Sequence, residues 1–295
     1  MNIVPTEFTS CSTRCVADLY LPEVSQEPVP VIVMAHGFAG ERSSRLPAFA
    51  ERFCEAGFAV FLFDYRTFGD SDGVPRQWVS PKRQLQDWRA AIAHVREQSL
   101  VDTGRLILWG TSFSGGHVVK LASEDRKIAG IIAQVPFVTG LDMVRHLPLA
   151  VSAKMTISGL IDVGKRLLGA KPNFYPVVGH PGEPAVMNTP ESYDGYMQLI
   201  DPDGKWVNQV PASILLEIPL YHPIKSAHKV KCPALIIAGR KDSLIPIGAI
   251  KKMADLMPRR EFVELDSNHF EPYVEPLFEQ NIQLQISFLK KYFLH

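Results

Sequence analysis

The stretch Leu108-Trp109-Gly110-Thr111-Ser112-Phe113-Ser114-Gly115-Gly116 follows directly on the apolar run Arg105-Leu106-Ile107, and the helix-compatible segment Val118 to Ser123 comes next. A continuous apolar run bounded by turn residues suits a strand buried on both faces. A serine at a sharp strand-to-helix turn is held at the sheet edge with its hydroxyl exposed. Small neighbours are needed because such a turn brings backbone close to backbone. Gly110 stands two before the serine, as that geometry asks; two after it stands Ser114 rather than glycine, a mild departure from G-x-S-x-G.

The pattern continues outward in both directions. Residues 1–22 read as two short strands about a turn, and Val31 to Ala35 and Phe58 to Phe63 read as buried strands. Between them Leu46, Phe49, Ala50 and Phe53 share a helical face that Ser43 or Ser44 is expected to cap. After Pro81, Leu85, Trp88, Ile92 and Val95 recur at helical spacing, and Ile128 to Val135 is a further strand. Strands alternating with helices predict an α/β fold with a mainly parallel sheet flanked by helices.

The alternation stops between Phe137 and His228, where helical patches such as Val151 to Leu168 and a Pro/Gly-dense stretch, Lys171 to Pro190, replace it. It resumes with Pro233 to Ala238, a helix over Ile247 to Met257, the strand Glu261 to Leu265, and a last helix carrying Phe278, Ile282, Ile286, Leu289 and Phe293. The expected organisation is a core of residues 1–136 and 229–295, with residues 137–228 inserted as a helical lid over the sheet. Apolar residues in the insertion, among them Met143, Leu147, Ile157, Leu160, Ile161, Trp206 and Ile214, are expected mostly to pack on the body. A few should wall the substrate pocket.

A serine nucleophile needs a base and an acid that orients it. Asp242, in Gly239-Arg240-Lys241-Asp242-Ser243, lies just past a strand end; the plainer reading makes it an N-cap for the helix near Pro246. His269, in Asp266-Ser267-Asn268-His269-Phe270, lies beyond the next strand. Of nine histidines it alone follows Asp242 in a loop before a final helix. An oxyanion needs preorganised N–H donors. The residue after the serine, Phe113, supplies one, and Phe38, in the loop His36-Gly37-Phe38-Ala39-Gly40 after an early strand, supplies the other. His36 is read as structural, His117 as packing on the serine helix, and the loop Asp64 to Gly73 as scaffold.

These motifs resemble the α/β-hydrolase superfamily from about residue 15 to the end, outside the insertion. Within it, Trp109 to Val118 is similar to bacterial hydrolases related to dienelactone hydrolases and Xaa-Pro peptidases, and to fungal polyketide transferases. The resemblance implies an acyl-enzyme mechanism without a cofactor. Ester cleavage ranks first as the activity, then thioester, peptide or amide cleavage, then acyl transfer. A non-catalytic binding protein on the same fold is the alternative of a different class.

Lys plus Arg and Asp plus Glu number 31 each, for zero formal charge, so nothing predicts a nucleic-acid or acidic-membrane partner. The expected partner is a small ester or thioester, and a homodimer is left open. Asp64, Asp70 and Asp72 have no histidine near them in sequence, so no metal is expected, and no G-x-G-x-x-G follows a strand. The four cysteines, Cys11, Cys15, Cys54 and Cys232, form no ligand pattern, and whether Cys11 and Cys15 pair is left open. No signal peptide or membrane-length apolar window is seen, so a cytoplasmic location is expected.

Overall fold

The computed structural model describes residues 1–23, 28–141 and 148–294. Its strands are β1 (Asn2–Ser10), β2 (Thr13–Leu21), β3 (Val29–Ala35), β4 (Ala59–Phe63), β5 (Val101–Thr111), β6 (Gly130–Gln134), β7 (Phe174–Tyr175), β8 (Val210–Pro211), β9 (Ala234–Gly239) and β10 (Arg260–Leu265). Its helices are α1 (Leu46–Glu55), α2 (Pro81–Arg96), α3 (Phe113–Glu124), α4 (Leu149–Leu167), α5 (Ser192–Met197), α6 (Ile214–Glu217), α7 (Ile224–Ala227), α8 (Ile247–Asp255) and α9 (Leu277–Phe293).

Eight strands form one sheet in the order β1-β2-β4-β3-β5-β6-β9-β10. Only β2 runs against its neighbours; the rest pair parallel. Every residue of β4, β6 and β9 is buried, because helices cover both faces of the parallel part. The chain thus has an α/β-hydrolase fold. Among the described residues no helix is long and apolar enough to cross a membrane.

Local readings differ from the structure in two places. Neither Ser43 nor Ser44 caps α1; its N-cap position is Arg45, in the left-handed region at φ 59°. Ser44 Oγ instead accepts the N–H of Glu41 at 3.1 Å, so it closes a loop turn. Helix α3 begins at Phe113, a turn and a half earlier than its apolar pattern, because Gly115 and Gly116 lie inside it rather than before it. Cys11 and Cys15 are both free, with Cys11 in the tight turn between β1 and β2.

Between β6 and β9 no described residue joins the large sheet. That segment holds α4 to α7 and the small antiparallel pair β7–β8, whose two-residue strands are too short to leave a periodic signal. Trp206, Ile214 and Leu215 pack against the core, as expected. The outer face of α4 does not: Ile157, Leu160 and Ile161 are exposed, and only Gly159 and Asp162 of that helix are buried. A single stripe of a 19-residue helix meets the body, which leaves the opposite stripe in solvent. Met143 and Leu147 lie outside the described residues.

The scaffold reading of Asp64 to Gly73 matches a dense set of bonds. Arg42 binds Asp18 at 2.8 Å, Asp70 at 2.9 Å and the fully buried Asp64. Beside it, buried Arg66 pairs with buried Asp87, whose carboxylate also accepts Ser10 Oγ at 2.6 Å. Breaking a buried pair from one side leaves an uncompensated charge, so Asp87→Ala should destabilise the fold by about 3–5 kcal/mol in urea unfolding. A loss below about 1 kcal/mol would mean the pair is replaceable by water.

Candidate active site

Ser112 is the single residue between β5 and α3, with φ 52° and ψ −118°. Few non-glycine residues adopt such a conformation, and they do so where the surroundings over-determine it. Here Ser112 N–H donates to Gln134 O at 2.9 Å, and Ser112 O accepts Phe137 N–H at 2.8 Å. A Cβ on Gly110 would stand 2.3 Å from Ser114 O, so no side chain fits there. Ser114, fully buried where the motif more often has glycine, has a partner for its hydroxyl: Tyr65 OH at 3.0 Å, which also accepts Trp88 Nε1–H at 2.8 Å.

His269 Nε2 lies 3.0 Å from Ser112 Oγ, and His269 Nδ1 lies 2.7 Å from Asp242 Oδ2. Both side chains are almost wholly shielded from solvent, at 3% and 0% exposure. The other carboxylate oxygen of Asp242 accepts the N–H groups of Leu244 and Ile245 at 2.9 and 2.8 Å. Asp242 therefore closes its own turn, while the N-cap position of α8 is Pro246. The His269 loop is set by Asn268, whose Oδ1 accepts Phe270 and Glu271 N–H at 2.8 and 3.0 Å.

Beneath these loops runs a buried polar network that the sequence reading missed. Thr111 Oγ1 bonds Tyr273 OH and accepts Gln134 Nε2–H at 3.3 Å. Gln134 Oε1 accepts Asn281 at 2.7 Å and Gln285 at 2.9 Å, and Gln285 Oε1 accepts Trp109 Nε1–H at 2.7 Å. It ties α9 to the strand that carries the serine. Its signal was available: Asn281 and Gln285 fall on the same helical stripe as Phe278, Ile282 and Leu289, and buried polar groups at core positions require partners.

On the other side of Ser112, Gly37 packs so closely that a Cβ there would lie 3.1 Å from both Ser112 Cβ and Thr111 O. The rings of Phe38 and Phe113 meet edge to face at 5.5 Å. Phe113 opens α3, so its N–H has no intrahelical acceptor. His36 and His117 are buried histidines outside the Ser112–His269–Asp242 row. Burial pushes His36 down to about 4 and His117 down to about 3. His117 bridges Tyr221 OH at 2.7 Å and Gln84 Oε1 at 3.1 Å, so it holds α3 against α2 and the segment before α7. Asp64 and Asp70, weighed as metal ligands, both bind Arg42.

Two narrow cavities of about 40 and 30 Å³ flank Ser112. Phe38, Met187 and His269 line both. Tyr196, Leu199 and Ile200 add to the first, and Val186, Ile218 and Phe137 to the second.

Comparison with known proteins agrees with this fold. A chain 39% identical over 99% of this one and 97% of itself is the quorum-quenching protein AidA of Acinetobacter baumannii. The thiohydrolase aneE of Aspergillus aculeatus is 28% identical, over 92% and 87% of the two chains. The α/β-hydrolase GrgF of Penicillium sp. sh18 superposes over the whole of both chains with a TM-score of 0.84 at 20% identity, which speaks to the fold. The family model for serine aminopeptidase S33 matches residues 26–266, and the chain belongs to that family of α/β-hydrolases.

Proposed function

We propose that this hydrolase cleaves carboxylic esters or thioesters through an acyl-enzyme. The observation that carries the reading is the unbroken row Ser112–His269–Asp242, with hydrogen bonds at 3.0 and 2.7 Å at the junction of two apolar cavities. Ser112 Oγ attacks the carbonyl carbon and His269 Nε2 takes its proton. Asp242 holds the ring by Nδ1 and stabilises the imidazolium. The N–H groups of Phe38 and Phe113 receive the oxyanion. The leaving group departs with the proton from His269, and water repeats the sequence to free the acid. A relative named as a thiohydrolase supports the thioester arm.

Ser112→Ala should lower ester turnover by about six orders of magnitude with the fold retained. A fluorophosphonate probe should label Ser112 in the unmodified protein. Turnover above a tenth of the unmodified rate, or labelling elsewhere, would sink the assignment and favour a binding protein on this fold.

The pH dependence separates the histidines. Free imidazole titrates near about 6.5, and burial leaves His36 and His117 neutral above pH 5 in the folded protein. A base must be neutral to accept the serine proton. His117 lies outside the Ser112–His269–Asp242 row, so His117→Gln should leave the pH profile of kcat/KM in place. Stability follows the same two groups. It is complete above their unfolded value and is lost as pH falls toward about 4 and about 3. His117→Gln should therefore flatten the loss of urea resistance between pH 7.5 and 5; an unaltered slope would count against a neutral buried His117.

The segment 137–228 acts in this reading as a lid that walls the pocket, through Phe137, Val186, Met187, Leu199, Ile200 and Ile218. Both cavities are narrow beside Ser112, at about 40 and 30 Å³. Met187 stands in the wall of both. Met187→Ala should shift preference toward longer acyl chains several-fold, since one methylene of fit is worth about 1–3 kcal/mol. An unchanged chain-length profile in p-nitrophenyl esters would place the acyl group elsewhere.

A further inference from the structure

Three successive carbonyls in the loop after β3 each accept a bond from a side chain. His36 Nδ1 reaches Gly37 O at 3.0 Å. Tyr196 OH donates to Phe38 O at 2.8 Å, and Trp206 Nε1–H donates to Ala39 O at 2.9 Å. A carbonyl only accepts, so the His36 ring carries its proton on Nδ1. Tyr196 and Trp206 pack on each other at 5.4 Å between ring centres, and Tyr196 is buried. Both come from the segment between β6 and β9, more than 150 residues away in the chain.

The loop needs holding. Gly37, which packs against Ser112, has no side chain of its own to restrain it, and Ala39 sits in the left-handed region at φ 54°. The N–H of Phe38 belongs to the same peptide as Gly37 O. A rotation of that peptide would swing the N–H and break the His36 bond. The next two peptides are fixed by Tyr196 and Trp206, so the Phe38 backbone is restrained on both sides of its Cα. Tyr196 also meets Phe270, the neighbour of His269, edge to face at 6.2 Å, so the same side chain touches both halves of the site.

We infer that Tyr196 and Trp206 are positioning residues that preorganise the Phe38 N–H, so that the segment from α5 to Trp206 assembles the oxyanion site as well as walling the pocket. This rests on the acyl-enzyme reading. Neither residue exchanges a proton with substrate; each acts through a carbonyl of the oxyanion loop. Their loss should therefore appear in the transition state and spare ground-state binding.

The test uses Tyr196→Phe, Trp206→Phe and the double variant, with p-nitrophenyl butyrate as substrate and a trifluoromethyl ketone as an analogue of the tetrahedral state. Loss of a whole oxyanion donor costs about 10²–10³ in kcat, and loosening the loop that carries one should cost about tenfold per single variant. KM should stay within about twofold, and the ketone's inhibition constant should rise by the same factor as kcat falls. Circular dichroism establishes that each variant is folded, and either single variant suffices if the other does not fold. A raised KM with unchanged kcat would overturn the inference and leave these residues as pocket wall. Unchanged ketone affinity alongside a lowered kcat would also overturn it. Failure of the acyl-enzyme reading shows separately, as an unmodified enzyme that the fluorophosphonate does not label at Ser112.

Discussion

The backbone at Ser112 must turn from strand to helix within one residue, and it does so at φ 52°, where a side chain is seldom tolerated. Such a conformation persists only if its surroundings hold it from several directions. Gln134 and Phe137 take the backbone groups of Ser112, Gly110 leaves room for Ser114 O, and Gly37 closes from the opposite side. Each of these depends on strand order. Strand β6 supplies Gln134 because it pairs with β5, and β3 brings Gly37 because it pairs with β5 on the other edge. The order of strands at the centre of the sheet therefore accounts for what holds the turn at this one residue.

The sequence makes the row of catalytic candidates legible because each stands at the end of a buried strand. Ser112 follows β5, Asp242 follows β9 and His269 follows β10, and the sheet order brings those ends to one edge. Chain order and strand ends are local signals. The cap of α1 was misread for a local reason as well: Ser44 has the right side chain, but its hydroxyl closes a turn onto Glu41. The early start of α3 was hidden by Gly115 and Gly116, which look like helix breakers.

Long-range contacts were beyond reach. Nothing near Tyr196 or Trp206 in sequence announces that they bond carbonyls of residues 38 and 39. The exposed stripe of α4 was also missed, because apolar residues at helical spacing normally argue for burial and only the fold says which stripe faces the body. Asn281 and Gln285 form an intermediate case. Their positions on an apolar stripe could have flagged a buried network, but their partners, Gln134 and Trp109, are set by the sheet.

The smallness of the two cavities beside Ser112 has a kinetic consequence. The hydrogen bonds that join Ser112, His269 and Asp242 are made within the fold itself, so under the proposed reading those groups stand ready for a carbonyl. What remains is access. It runs past Met187, which walls both cavities, so under the ester reading proposed above the opening of that wall side chain is a step of its own. Opening of this kind occurs on the microsecond-to-millisecond scale. Where that step limits the acyl-enzyme reaction proposed above, rates for differently activated esters converge on one value although their chemical reactivities differ.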